Sequence, residues 1–200
     1  MSTPVAALPP GEHLDLLLEA IEIEGRAQRL LLGGEWAQGR TLMREASDRY
    51  RASWELAPPR SFGRLVGMLK AAVIGGDARD AAAYASRQGA DLDSPTAAYA
   101  AALIALISGD DGAAKPCAAA MRSGSEAFSR AADAIDAVVD QDQAAYVDSI
   151  AAITRDFESR GAHLTGVAIA DTAVMFEQFG RERGLAADLS SPVLPRPRET

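Results

Sequence analysis

The chain has 200 residues, 48% hydrophobic and 24% charged, enough apolar material for one packed domain and too much for wholesale disorder. Its 28 acidic side chains outnumber 20 basic ones, and the resulting formal charge of −8 argues against nucleic-acid binding by phosphate neutralisation. Cys117 is the only cysteine, which excludes an internal disulfide and a cysteine-built metal cluster and fits a reducing, cytoplasmic setting.

Residues 1–12 carry Pro4, Pro9 and Pro10 and read as a loose lead-in without the pattern of a secretory signal. A first helix is predicted from His13 to Leu32, with Leu14, Leu17, Leu18 and Ile21 on one face and Ile23, Ala27, Leu30 and Leu31 continuing on a second. The second runs from Glu35 to Leu56 and stops before Pro58-Pro59. Its apolar side is Leu42, Met43, Ala46, Tyr50 and Trp54. Ser61 is expected to cap a third helix with Phe62, Leu65, Val66, Leu69 and Val73 inward. Beside that face, Gly63, Gly67 and Ala71 form a small-residue stripe suited to close approach of a neighbour.

A short Ala-rich fourth helix follows from Asp77 to Gln88. Ser94-Pro95 is a start signal, a capping hydroxyl before proline at the first helical position. The uncharged helix behind it, Thr96 to Ile107, should be the central buried one. Asp111 to Arg122 is the sixth, with Pro116 starting it late or bending it. The seventh begins at Ser125 and buries Phe128, Ala131, Ala132, Ile135, Val138 and Val139. The eighth, Asp142 to Arg160, buries Tyr146, Ile150, Ile153 and Phe157. The last is predicted from Leu164 to Gly184, and residues 188–200 read as an extended, proline-rich tail anchored by Val193 and Leu194. Strand-like alternation is not recognised anywhere, and no apolar run reaches the ~18 residues of a membrane span.

One corner recurs. Gly33-Gly34-Glu35, Gly75-Gly76-Asp77, Ser108-Gly109-Asp110 and Asp140-Gln141-Asp142 each follow an apolar run and precede another helix. Glycine tolerates the left-handed conformation that ends a helix, and the acid beyond it suits the next helix's positive end. Recurrence at roughly 30–40 residues is the spacing of helix-turn-helix arrays. The expected fold is therefore all-α: about nine helices as antiparallel pairs, in a short tetratricopeptide-like solenoid or an irregular bundle, forming a single domain over residues 13–187.

Reactive constellations are scarce. His13 and His163 are the only imidazoles, and neither stands in metal-ligand or triad spacing. The Gly-Gly pairs lack the strand and the Lys-Ser/Thr ending of a phosphate loop. No metal and no cofactor is expected, and no catalytic residue is assigned. Asp171, flanked at helical spacing by Val167, Ala168, Val174 and Met175, must find a partner, cap a helix or titrate high. His163 is expected at the start of the last helix as a capping or surface residue. Trp36, beside a corner, is the aromatic expected to be most exposed. Arg40, Arg44, Arg49 and Arg51 alternate with acids as a solvated face. The candidate binding residues are Trp36, Arg40, Asp171 and His163.

The order of parts from Ser61 onward resembles the bacterial Immunity protein 49 family of polymorphic toxin systems. The matching stretches are the helix, corner and helix of Leu69 to Ala83 and the closing Ala168 to Pro195. The latter contains Arg183-Gly184-Leu185, Asp188-Leu189-Ser190 and Val193-Leu194-Pro195. The resemblance implies a non-enzymatic protein that binds and neutralises a toxin. The expected function is a protein-binding module whose acidic surface meets a basic protein. Two other classes stay open: a small-molecule-binding or enzymatic domain with a pocket near Asp171, and a homodimer.

Overall fold

The four recurring corners share one hydrogen-bond pattern. A computed structural model describes residues 11–196. In it Gly34, Gly76, Gly109 and Gln141 all have positive φ, between 52° and 87°. At each corner the next amide reaches back five residues: Glu35 to Leu30, Asp77 to Ala72, Asp110 to Ala105 and Asp142 to Ala137, at 2.9–3.1 Å. The residue with positive φ donates to the carbonyl three back, which completes the Schellman motif that ends a helix and turns the chain. Leu185 makes the same bond to Gly180 after Gly184, a fifth copy. The following acids divide. Asp110 and Asp142 accept amide hydrogen bonds from the helices they precede, whereas Glu35 and Asp77 make no side-chain cap.

Nine helices lie among the described residues: α1 (Glu12–Leu32), α2 (Trp36–Leu56), α3 (Gly63–Gly75), α4 (Ala78–Ser86), α5 (Pro95–Ser108), α6 (Asp111–Met121), α7 (Glu126–Asp140), α8 (Gln143–Ser159) and α9 (Asp171–Glu182). There is no strand among these residues, so the fold is an all-α bundle. Neighbours in sequence pack on one another from α1 to α3 and from α5 to α8, and α3 meets α4 and α5 at the join. The last helix breaks that order by folding back across α3, α7 and α8.

Ser94 caps α5 by accepting from the Ala97 amide, with Pro95 at the first helical position, and α5 is the buried centre. Close approach of α2 and α3 uses Gly67, where a Cβ would stand 2.9 Å from the Tyr50 ring. Gly63, the other end of that stripe, faces open space.

Three expectations need correction. Ser61 does not cap α3. Its hydroxyl donates to the Pro58 carbonyl, and the helix starts two residues later, after Phe62. Pro116 lies inside α6, which starts at Asp111, so no late start occurs. The last helix begins at Asp171, not Leu164. Gly166 takes a positive φ of 71°, and Val167 and Ile169 are buried while Ala168 between them is exposed. The Ile169 amide donates to the Val167 carbonyl in a tight turn, and no strand forms here. The Ala170 amide then donates to the Val193 carbonyl, tying this segment to the chain beyond α9. Val193 is buried and Leu194 half-buried, as an anchored tail requires, while residues 1–10 and 197–200 of the lead-in and tail lie outside the described residues.

Gln141 is the corner residue that adopts the left-handed conformation without being glycine, a cost of about 1 kcal/mol. Gln141→Gly is expected to raise stability by about that amount, read as a higher urea midpoint at unchanged slope. Gly76→Ala should do the reverse, because its Cβ would overlap the Arg40 guanidinium.

Candidate functional site

Asp171 opens α9 instead of standing in its middle, and it is buried. Its carboxylate is 2.6 Å from the Lys70 ammonium of α3 and accepts a 3.2 Å hydrogen bond from Gln28 of α1. Lys70 also lies 3.5 Å from Glu24, which receives a 2.5 Å hydrogen bond from the Tyr50 hydroxyl of α2. Thr165, in the turn before α9, donates to the Gln28 carbonyl oxygen. Gly25 lets this segment approach α1, since a Cβ there would stand 3.0 Å from the Thr165 carbonyl oxygen. One cation and two carboxylates thus join α1, α2, α3 and α9.

Burial sets the electrostatics of this cluster. It pushes the Glu24 carboxyl above its ordinary value of 4.5, and the nearby Lys70 charge only partly offsets it. Burial alone would lower the Lys70 ammonium. The Asp171 and Glu24 charges outweigh it and hold the group above its ordinary value of 10.5. The Tyr50 hydroxyl is pushed up first by burial and then by Glu24. Lys70 keeps 18% of its side chain exposed, whereas Glu24 keeps 1%, so water reaches the ammonium and not the carboxyl beside it.

Four cavities among the described residues are lined without Asp171, Lys70 or Glu24. Every carboxylate in the cluster has a hydrogen-bond or ion-pair partner. Its chemistry is that of a structural tie.

Trp36 is half-buried, not exposed: its indole N–H donates to the Arg196 carbonyl at 3.2 Å. It lines a small cavity of about 130 Å³ with Val174, Gln178 and Leu194, and the chain's own residues 188–196 form one wall. Arg40 is not simply a solvated residue. Its Nε and the Nη1 of Arg44 both donate to the Gly75 carbonyl, at 3.2 and 2.9 Å, placing two cations on the C-terminus of α3. The other two arginines of that row are paired or stacked, Arg49 with Glu19 and Arg51 with Glu55 and over the Tyr84 ring. Arg40 also lines a cavity of about 400 Å³ with Asp77, Arg79, Gln178 and Glu182, which carries both signs of charge.

His163 is half-buried in the segment between α8 and α9, stacked on Phe157, and does not begin a helix. It makes no hydrogen bond or ion pair with Asp171. The four candidate residues therefore do not converge on one site. Trp36 and Arg40 flank neighbouring cavities, Asp171 is interior, and His163 stands apart.

The largest of these cavities is an open groove of about 730 Å³ between the end of α1 and the start of α2. Arg26, Arg29 and Leu30 line one side, and Ala37, Gln38, Thr41 and Leu42 the other. No carboxylate lines it.

The residues missed by sequence reasoning are Lys70 and Glu24. Lys70 is the only charged residue between Leu65 and Gly76, in a helix otherwise read as apolar. Glu24 shares a face with Ala20, Ala27 and Leu31. A charge on an apolar stripe is the usable signal, and it marks both. Comparison with family models, with curated proteins and with solved structures returned no match.

Two outcomes check the cluster. Lys70→Met should cost about 3 kcal/mol in chemical unfolding, the low end for leaving buried carboxylates without their cation. Glu24 holds its proton more tightly folded than unfolded, so stability should fall as pH rises above 4.5 through its raised value. Glu24→Gln should flatten that slope in unfolding curves taken across the pH series.

Proposed function

We propose that this chain is a non-catalytic protein-binding module. Toxin neutralisation, implied by the resemblance to the Immunity protein 49 family, is the form this binding takes, in a reducing cytoplasmic setting suited to the buried thiol of Cys117. The observation that carries the reading is the placement of Asp171. The carboxylate best suited to acid–base work is held by Lys70 and Gln28 and lines none of the four cavities described above. What the molecule offers to solvent is helical surface with an open groove, which suits a macromolecular partner better than a buried substrate.

The test is capture on the immobilised protein from its native cell, followed by purification of the recovered partner and titration calorimetry. A stoichiometric complex with one protein is expected, with no small molecule retained in native mass spectrometry. A retained metabolite without a protein partner would overturn the proposal in favour of a ligand-binding or enzymatic domain. Self-association alone, seen by sedimentation, would replace it with a homodimer.

A further inference from the structure

We infer that the α1–α2 groove is the docking surface, and that its occupant is an amphipathic helix of a partner protein carrying glutamate or aspartate beside its apolar stripe. This inference rests on the protein-binding reading.

The argument begins with charge. The chain is acidic overall, yet this groove is lined by two arginines and no carboxylate. Arg26 and Arg29 are exposed, and neither lies within ion-pair distance of an acid among the described residues. Several other surface arginines are held by acids: Arg49 by Glu19, Arg51 by Glu55, Arg122 by Asp133 and Asp136, and Arg130 by Asp156. Exposed Arg79, Arg87 and Arg155 form no ion pair among the described residues, but Arg26 and Arg29 are the two that line this groove together. A pair of unclaimed guanidinium groups on an otherwise acid-rich molecule leaves local complementarity for an acidic partner, against the sense of the net charge. Exposed pairs of this kind steer and select more than they tighten, so apolar contact must supply much of the affinity.

The shape supplies that contact. Leu30 and Leu42 are half-buried and give the groove an apolar floor, with Ala37 small enough to leave it open and Gln38 and Thr41 as polar rim. Two antiparallel helices joined by the tight Gly33-Gly34 corner make a furrow into which a third helix lays its ridge, the way α3 already packs on α2. The first pair of the array has α3 on one flank, and the groove lies on it without a further helix among the described residues covering it. The cavity beside Trp36 is already walled by residues 188–196 of the chain itself.

The experiment uses the full-length protein and two synthetic amphipathic helical peptides with the same leucine stripe, one flanked by glutamates and the other by lysines. Amide shifts in NMR titrations locate binding and give affinity. The glutamate peptide should perturb residues 26–42 and bind at least about tenfold tighter than the lysine peptide, with affinity falling as salt rises. Arg26→Glu with Arg29→Glu should reverse that preference while leaving the unfolding midpoint unchanged. Equal binding of both peptides, unaltered preference in the double variant, or shifts centred on Trp36 and Gln178 would overturn the inference. A captured partner that binds the double variant with undiminished affinity would sink the groove and leave the protein-binding reading standing. Absence of any captured protein would sink that reading itself.

Discussion

A single ammonium group stands between the two halves of this bundle. Lys70, on the third helix, neutralises carboxylates contributed by the first and the ninth, residues separated along the chain by most of its length. Around it, Gln28 and Thr165 satisfy the remaining acceptor and donor, and Tyr50 satisfies Glu24. Helix pairs joined by short corners bury their apolar faces locally, which does not by itself fix where the last helix returns. The interior charge does, because an unpaired carboxylate there would cost far more than a misplaced methyl group. Removing either partner leaves the other buried and unpaired, so the tie is worth more to the register of α9 against α1 and α3 than to net stability.

Much of the architecture was legible because the corners are written in local chemistry. Gly34, Gly76 and Gly109 occupy the conformation that only glycine adopts cheaply, and Gln141 shows the same corner persisting where the signature residue is lost. Ser94-Pro95 likewise announced a helix start by a cap and a fixed φ. The start of the last helix was not legible. Leu164 to Ala170 is apolar enough to continue a helical stripe, but the left-handed Gly166 and the Ile169-to-Val167 hydrogen bond break it into turns. That segment is held by groups far away in sequence, Gln28 and Val193, and no local rule carries such information.

The sequence showed no reactive spacing, and the features of the candidate site had to come from three dimensions. Asp171 drew attention as a lone acid, but its partner Lys70 lies 101 residues away. Arg40 and Arg44 looked like a solvated row, yet they cap the third helix at Gly75, so the recurring corner is braced by cations of the preceding helix. Trp36 looked free and is instead spanned by the closing segment. Net charge misleads in the same way. A total of −8 describes the whole chain, while the open furrow beside Arg26 and Arg29 carries the opposite sign. Recognition follows the local field, within about a Debye length, and not the sum.

Native-state hydrogen exchange tests the central claim most directly, because it reads whether separate helices open together. If Lys70 binds the ends of the chain into one unit, the slowest amides of Val174–Phe179 in α9 should exchange with the same opening free energy as those of α1 and α3. Lys70→Met should then release α9 to open alone. Slow amides in α9 that already open well below those of α1 and α3 in the unaltered protein would contradict the account.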